Sequence, residues 1–178
     1  MILLSEMKKT YYLLLFMLTL SAAAKAQTNW VTQNLGAKLS VKFPSEPEKV
    51  IKNGVESYTV KAKDSVIYSA GVIDFEVVAH VDSAGLAPMK DTQEFANQMR
   101  TGFASKKPTY TFGDITIGKW KTYTSYSFSG VENTNKNRAI IHMILIGSKI
   151  YSFVCRVPPN LVTQNNDVFL NSVELLKK

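Results

Sequence analysis

Cysteine is almost missing from this chain of 178 residues: Cys155 stands alone, so no intramolecular disulfide can staple the fold. Histidine is nearly as scarce. His80 and His142 are the full complement, which leaves few routes to an imidazole metal site or a general base. There is no Gly-x-Ser-x-Gly elbow, metal-binding His pair, phosphate loop or dinucleotide fingerprint, so the common nucleophilic and nucleotide chemistries have no sequence support. No catalytic residue and no cofactor are expected, and nothing positive points to an enzyme. Carboxylate chemistry alone stays open, since acids that meet in space need not be close in sequence. Long apolar runs are absent too. Tyr11 to Leu20 is about half of the roughly 20 residues that cross a bilayer, and no second run of that length follows it.

What is present begins at the amino terminus. Lys8-Lys9, the apolar run from Tyr11 to Leu20 and the small-residue stretch Ser21 to Ala26 follow one another in the order of a cleavable secretory signal. Ala24-Lys25-Ala26 before Gln27 is the expected cleavage site, because the peptidase accepts only small side chains at the positions of Ala24 and Ala26. Residues 1–26 are therefore expected to be a signal peptide and 27–178 a single exported domain, periplasmic or extracellular. Without a cysteine at the cleavage site for lipid attachment and without a transmembrane anchor, that domain should be released in soluble form. Met7-Lys8-Lys9 makes a compact start for such a signal, so Met7 is an alternative initiator to Met1.

The formal net charge of +7 drops by two when Lys8, Lys9, Lys25 and Glu6 are removed. The remaining basic residues are scattered in pairs, such as Lys61 and Lys63, Lys106 and Lys107, or Lys119 and Lys121. A nucleic-acid surface needs them gathered on one face, so nucleic acid is not an expected partner.

About 150 residues are enough for one core, and their pattern is strand-rich. Gln27 to Ala37 reads as a lead-in. Leu39, Val41 and Phe43 alternate with polar residues until Pro44 and Pro47, which predicts a half-buried strand. Asn53-Gly54 between extended runs predicts a tight hairpin, with strands at Val55 to Ala62 and Val66 to Ala79. Asp91-Thr92-Gln93-Glu94 offers an N-cap acceptor with a carboxylate three residues on. The helix that follows carries Phe95, Met99 and Phe103 on one stripe and stops at Pro108. Further strands are predicted at Tyr110 to Ile117, Trp120 to Phe128 with a turn at Gly118, Ala139 to Ile146 and Ile150 to Val157. Ile140 to Ile146 is apolar on both parities, as in a central strand covered on both faces. Leu161 to Asn171 has roughly helical spacing, and Ser172 to Leu176 reads as a short returning strand.

These pieces together resemble the PsbP-like α/β/α sandwich family. The matching segments are the opening Leu39-Ser40-Val41-Lys42-Phe43-Pro44-Ser45-Glu46-Pro47, the mid-chain helix with Phe95, the hairpin Ile140 to Val157 and the ending Phe169-Leu170-Asn171-Ser172-Val173. The resemblance implies an α+β fold, an antiparallel sheet with helices packed on its faces. It also implies a mostly non-catalytic accessory or partner-binding role. No functional residue of the family maps onto a position here.

Two sets of residues remain as site candidates. Asp74, Glu76, His80 and Asp82 share one strand parity and would offer oxygen and imidazole ligands to a divalent cation if the strand ran on to Asp82. Trp120 and Tyr123 differ in parity, so one of them should be outside, where Lys119 and Lys121 would complete a recognition patch. Cys155, within Phe153-Val154-Cys155-Arg156-Val157, reads as a small buried hydrophobe. The leading expectation is an exported, non-catalytic binding or accessory module of the bacterial envelope. It would hold a protein or small apolar ligand at a sheet edge, in a groove beside the helix or around Trp120. The alternative is a divalent-cation-dependent envelope protein or hydrolase built on the four acidic and histidine candidates.

Overall fold

In the computed structural model, which describes residues 30–52 and 55–177, an antiparallel sheet of eight strands organises the chain. Three strands form a meander: β3 (Glu48–Lys52), β4 (Val55–Lys61) and β5 (Ile67–Asp74). A second run supplies β6 (Tyr110–Phe112), β7 (Thr116–Trp120), β8 (Tyr123–Glu132), β9 (Arg138–Ile146) and β10 (Lys149–Val157). The spatial order is β3-β4-β5-β10-β9-β8-β6, with β7 also paired to β8. β5 pairs with β10 from Ile67↔Arg156 to Asp74↔Lys149, which joins the two runs into one sheet. A smaller antiparallel sheet is built from β1 (Val31–Leu35), β2 (Leu39–Phe43) and β11 (Glu174–Leu175) in the order β1-β2-β11.

The two faces of the large sheet are covered differently. One face packs against the small sheet and α4 (Asn165–Asn171). Phe169 is the one buried residue of that helix, and its ring centroid lies 5.2 Å from those of Phe43 and Tyr68 and 6.4 Å from that of Phe153. It thereby joins β2, β5 and β10. The other face carries α1 (Phe75–Ala79), α2 (Ser83–Leu86) and α3 (Gln93–Ser105). Thr92 caps α3, its hydroxyl accepting from the Phe95 amide at 3.3 Å. Phe95 and Ala96 of α3 are buried over Tyr126, Phe128, Ile141, Met143 and Leu145 of β8 and β9.

Val31–Lys178 is one compact unit. The expected signal and cleavage site at residues 1–26 lie outside the described residues, as does the Asn53-Gly54 turn, although β3 and β4 do pair on either side of it with Lys52 opposite Val55. Among the described residues no helix is long and apolar enough to cross a membrane.

Several local expectations need correction. Part of the presumed lead-in is strand β1, because Leu35 is buried and the segment pairs with β2. The strand expected to reach Ala79 ends at Asp74, where the carboxylate accepts from the Glu76 amide at 3.1 Å and starts a helix instead. Tyr110 to Ile117 is two strands rather than one. Gly118 lies inside β7, and the turn falls at Lys121-Thr122, where Lys121 takes φ 54°.

Candidate functional site

Helix α3 covers only half of its face. Its last aromatic, Phe103, packs edge-on against Phe112 of β6 and Phe128 of β8, both at 5.5 Å, and these rings end the cover in a wall. Beyond the wall the cover of α3 ends, leaving over β10, β5 and β4 a groove of about 220 Å³. Its floor follows from strand alternation. Ser152, Val154 and Arg156 of β10 face it, as do Ile67, Ser69, Gly71 and Ile73 of β5 and Val55 and Ser57 of β4. Phe103, Lys107, Tyr110 and Phe112 line the other side.

Small residues keep this floor open. A Cβ on Gly71 would stand 3.3 Å from the Glu56 carbonyl oxygen and 3.4 Å from Ser152 Oγ. The serine hydroxyls are tied to the sheet itself: Ser57 donates to the Val50 carbonyl at 3.3 Å, and Ser69 Oγ lies 3.0 Å from Thr59 Oγ1. Gly130 fixes the wall. A Cβ there would lie 2.7 Å from Cε1 of Phe112, so the Phe112 ring can lie against β8 only because position 130 has no side chain.

The groove is electrostatically one-ended. Arg156 lies opposite Ile67 in the sheet register, and Lys107 and Tyr110 stand across from it at the same end, next to Phe112. Neither Arg156 nor Lys107 has a described carboxylate within ion-pair distance; among the described residues the ion pairs are Lys49–Glu56, Arg100–Asp114, Lys119–Asp91 and Lys149–Asp74. The Tyr110 hydroxyl is buried, with Glu132 and Arg156 beside it. Burial first, then the nearby Glu132, raises its pKa, while Arg156 opposes the shift. It therefore stays protonated at neutral pH. Glu132 faces the same side of the sheet and accepts from Asn137 Nδ2 at 2.6 Å. The opposite end of the groove, at Ile73, has no charged lining residue.

The acidic candidates are not gathered into a site. Asp74 caps α1 and also accepts from Ser148 at 2.8 Å and from Lys149; these bonds, Lys149 foremost, hold its pKa below the usual value. Glu76 lies in the first turn of α1, and His80 closes that helix in the left-handed region at φ 55°. Asp82 caps α2, accepting from the Gly85 amide at 2.8 Å. The shared parity is lost because the strand on which it depended stops at Asp74. Among the described residues no three His, Cys, Asp or Glu side chains lie close enough together to hold a metal ion.

Trp120 and Tyr123 turn out to be register partners across the β7–β8 turn. They share a face and both are half-buried, with ring centroids 6.4 Å apart at 27°. The parity argument fails because a turn intervenes between them. Lys121 Nζ stands 4.7 Å from the Trp120 ring centre. Lys119 points to the opposite face, where it binds Asp91 at 2.9 Å and Thr124 at 3.1 Å, so it is no part of that cluster. His142 is half-buried, with Nδ1 2.9 Å from Ser127 Oγ, and burial lowers its pKa. Cys155 is fully buried, and burial pushes its thiol up to about 12, which makes it inert near neutrality.

Comparison with known structures places this architecture. The solution structure of cyanobacterial PsbP (CyanoP) from Synechocystis sp. PCC 6803 superposes with a TM-score of 0.58 at 9% identity, covering 84% of this chain and 94% of that one. A crystal structure from Bacteroides thetaiotaomicron VPI-5482 gives a TM-score of 0.45 at 12% identity, covering 82% of this chain and 47% of that one. No protein-family profile matches the sequence, and no curated protein is similar to it. The fold is PsbP-like: an α+β sandwich on an antiparallel sheet.

Proposed function

We propose that this chain is an exported, non-catalytic binding module of the bacterial envelope that holds a small, largely apolar ligand in the groove beside α3. The observation that carries the proposal is the half-covered sheet. A concave surface lined mainly by aliphatic and aromatic side chains with a few polar groups, the charged ones at one end, is the usual form of a small-molecule site. Export is supported by the basic, apolar and small-residue series before Gln27. The absence of any three-residue acid, histidine or cysteine cluster among the described residues favours a binding role over the cation-dependent alternative.

The decisive experiment fills the groove. In ¹⁵N-labelled protein of residues 27–178, decan-1-ol and related decyl amphiphiles should shift amide resonances of β4, β5 and β10 saturably. Val154→Trp should abolish those shifts without lowering the thermal midpoint by more than a few degrees. Shifts confined to other surfaces would overturn the proposal. In parallel, calcium, magnesium, manganese and zinc should leave the melting temperature unchanged. A ligand that binds only the folded state raises it, so a rise with one cation would favour the cation-dependent alternative.

A further inference from the structure

Resting on the groove as a ligand site, we infer that its occupant is an amphiphile with an acidic head, a carboxylate on an aliphatic chain. The head would be taken by Arg156 with Lys107, and the tail laid along β5 toward Ile73. The polarity of the groove leads to this. Two cations, Arg156 and Lys107, stand at one end, and no described acid lies within ion-pair distance of either; Glu132, beside the Tyr110 hydroxyl, leaves that end with one net positive charge. Arg156 is only partly exposed and lies between the short side chains of Ala139 and the aliphatic Ile67 across the two neighbouring strands. A guanidinium in such a place is a ready partner for a planar carboxylate, which it can grip with two parallel N–H donors. Lys107, at the exposed rim, adds charge.

The opposite end dictates the rest of the molecule. From Ile67 to Ile73 the floor runs about 20 Å at the usual strand rise, past Ser69 and Gly71 and along Val154, and it ends among aliphatic groups with no counter-charge. A doubly charged or wholly polar ligand would leave its far end without a partner and lose hydration there. A neutral apolar ligand would cover the Arg156 guanidinium without supplying a counter-charge. A single acidic group at one end of a chain satisfies both ends at once.

The test compares decanoate, decan-1-ol and decylamine on the intact mature protein by isothermal titration calorimetry, with amide shifts as the record of where each binds. Decanoate should bind at least ten times more tightly than decan-1-ol and decylamine least tightly. Rising salt should weaken decanoate alone. Arg156→Gln should bring decanoate down to the value of decan-1-ol. Lys107→Gln, at an exposed position that carries no folding risk, should lower decanoate affinity by a smaller factor of about two to five; circular dichroism establishes that each variant is folded. Equal binding of acid and alcohol, or no loss in either variant, would overturn the acidic-head inference while leaving the groove as a ligand site. Failure of all three probes to shift β4, β5 and β10 would overturn both.

Discussion

Replacing Phe169 by alanine removes a ring that joins the small sheet and α4 to the large sheet. The side chain is fully buried and packs on Phe43, Tyr68 and Phe153. Truncating a buried phenylalanine costs about 3–5 kcal/mol from lost transfer energy and the cavity left behind, and its edge-to-face contacts put this site in the upper part of that range. Helix α4 has no side-chain N-cap and seven residues, so without its anchor it cannot persist alone. We expect a loss of about 4 kcal/mol, a large part of the roughly 5–15 kcal/mol that holds a domain together. In urea, with a slope of about 2 kcal/mol per molar, the midpoint should fall by about 2 M. Val168→Ala, on the exposed side of the same helix, should change stability by less than about 0.5 kcal/mol. A loss below about 1.5 kcal/mol for Phe169→Ala would refute the claim that this ring holds the layers together.

Gly130→Ala should cost about 1–3 kcal/mol by overpacking and displace Phe112, lowering the melting temperature and weakening ligand binding in the groove together. Cys155, whose thiol burial raises to about 12, should resist a thiol reagent at pH 8 in the native protein and react fully after denaturation. Because its folded pKa lies above its ordinary value, its contribution to stability is present below about pH 9 and lost between there and pH 12, at up to about 1.4 kcal/mol per pH unit. Cys155→Ala should make the alkaline decline in urea midpoint shallower, leaving the share of the buried tyrosines Tyr68, Tyr126 and Tyr151, whose pKa values are also raised by burial. Asp74→Ala should cost about 1 kcal/mol at pH 7 through the lost cap. Since the pKa of Asp74 is lowered, that difference should shrink as pH falls below 3.8, as urea midpoints of the two proteins at low pH will check.

The strands that alternate or are apolar on both parities could be read directly. β2, β9 and β10 lie within a residue or so of the expected bounds, because Leu39, Val41, Phe43, Ile141 and the run Met143 to Ile146 are buried in the way their pattern implies. The start of α3 was likewise visible in Asp91-Thr92, although Thr92 caps the helix and Asp91 instead receives Lys119 and Thr124. Turn positions were less legible. Lys121 adopts a left-handed φ that favours glycine, so the eye goes to Gly118 instead. The strand through Phe75, Val77 and Val78 looked continuous because β-branched residues suit strands, but the Asp74 cap overrode that preference. The groove had no local signature. Ser57, Ser69 and Ser152 look like ordinary outward-facing strand residues. They become a floor only because α3 stops short and because β4, β5 and β10, distant in sequence, lie side by side.

That last juxtaposition bears on how the protein assembles. The β3-to-β5 meander and the β6-to-β10 run each pair strands that follow one another closely along the chain, and such local contacts form early. The β5–β10 seam is different. Asp74 and Lys149 are separated by 75 positions, and closing a loop of that length costs about 4 kcal/mol in chain entropy by the logarithmic law. The seam thus forms later than the hairpins on either side of it. Ser69 and Gly71 stand on one side of it and Ser152, Val154 and Arg156 on the other, so a chain whose seam is open has no groove at all. A ligand seated there would act as a clasp across two half-built sheets, slowing the exchange of β5 and β10 amides with solvent and lengthening the life of the native state.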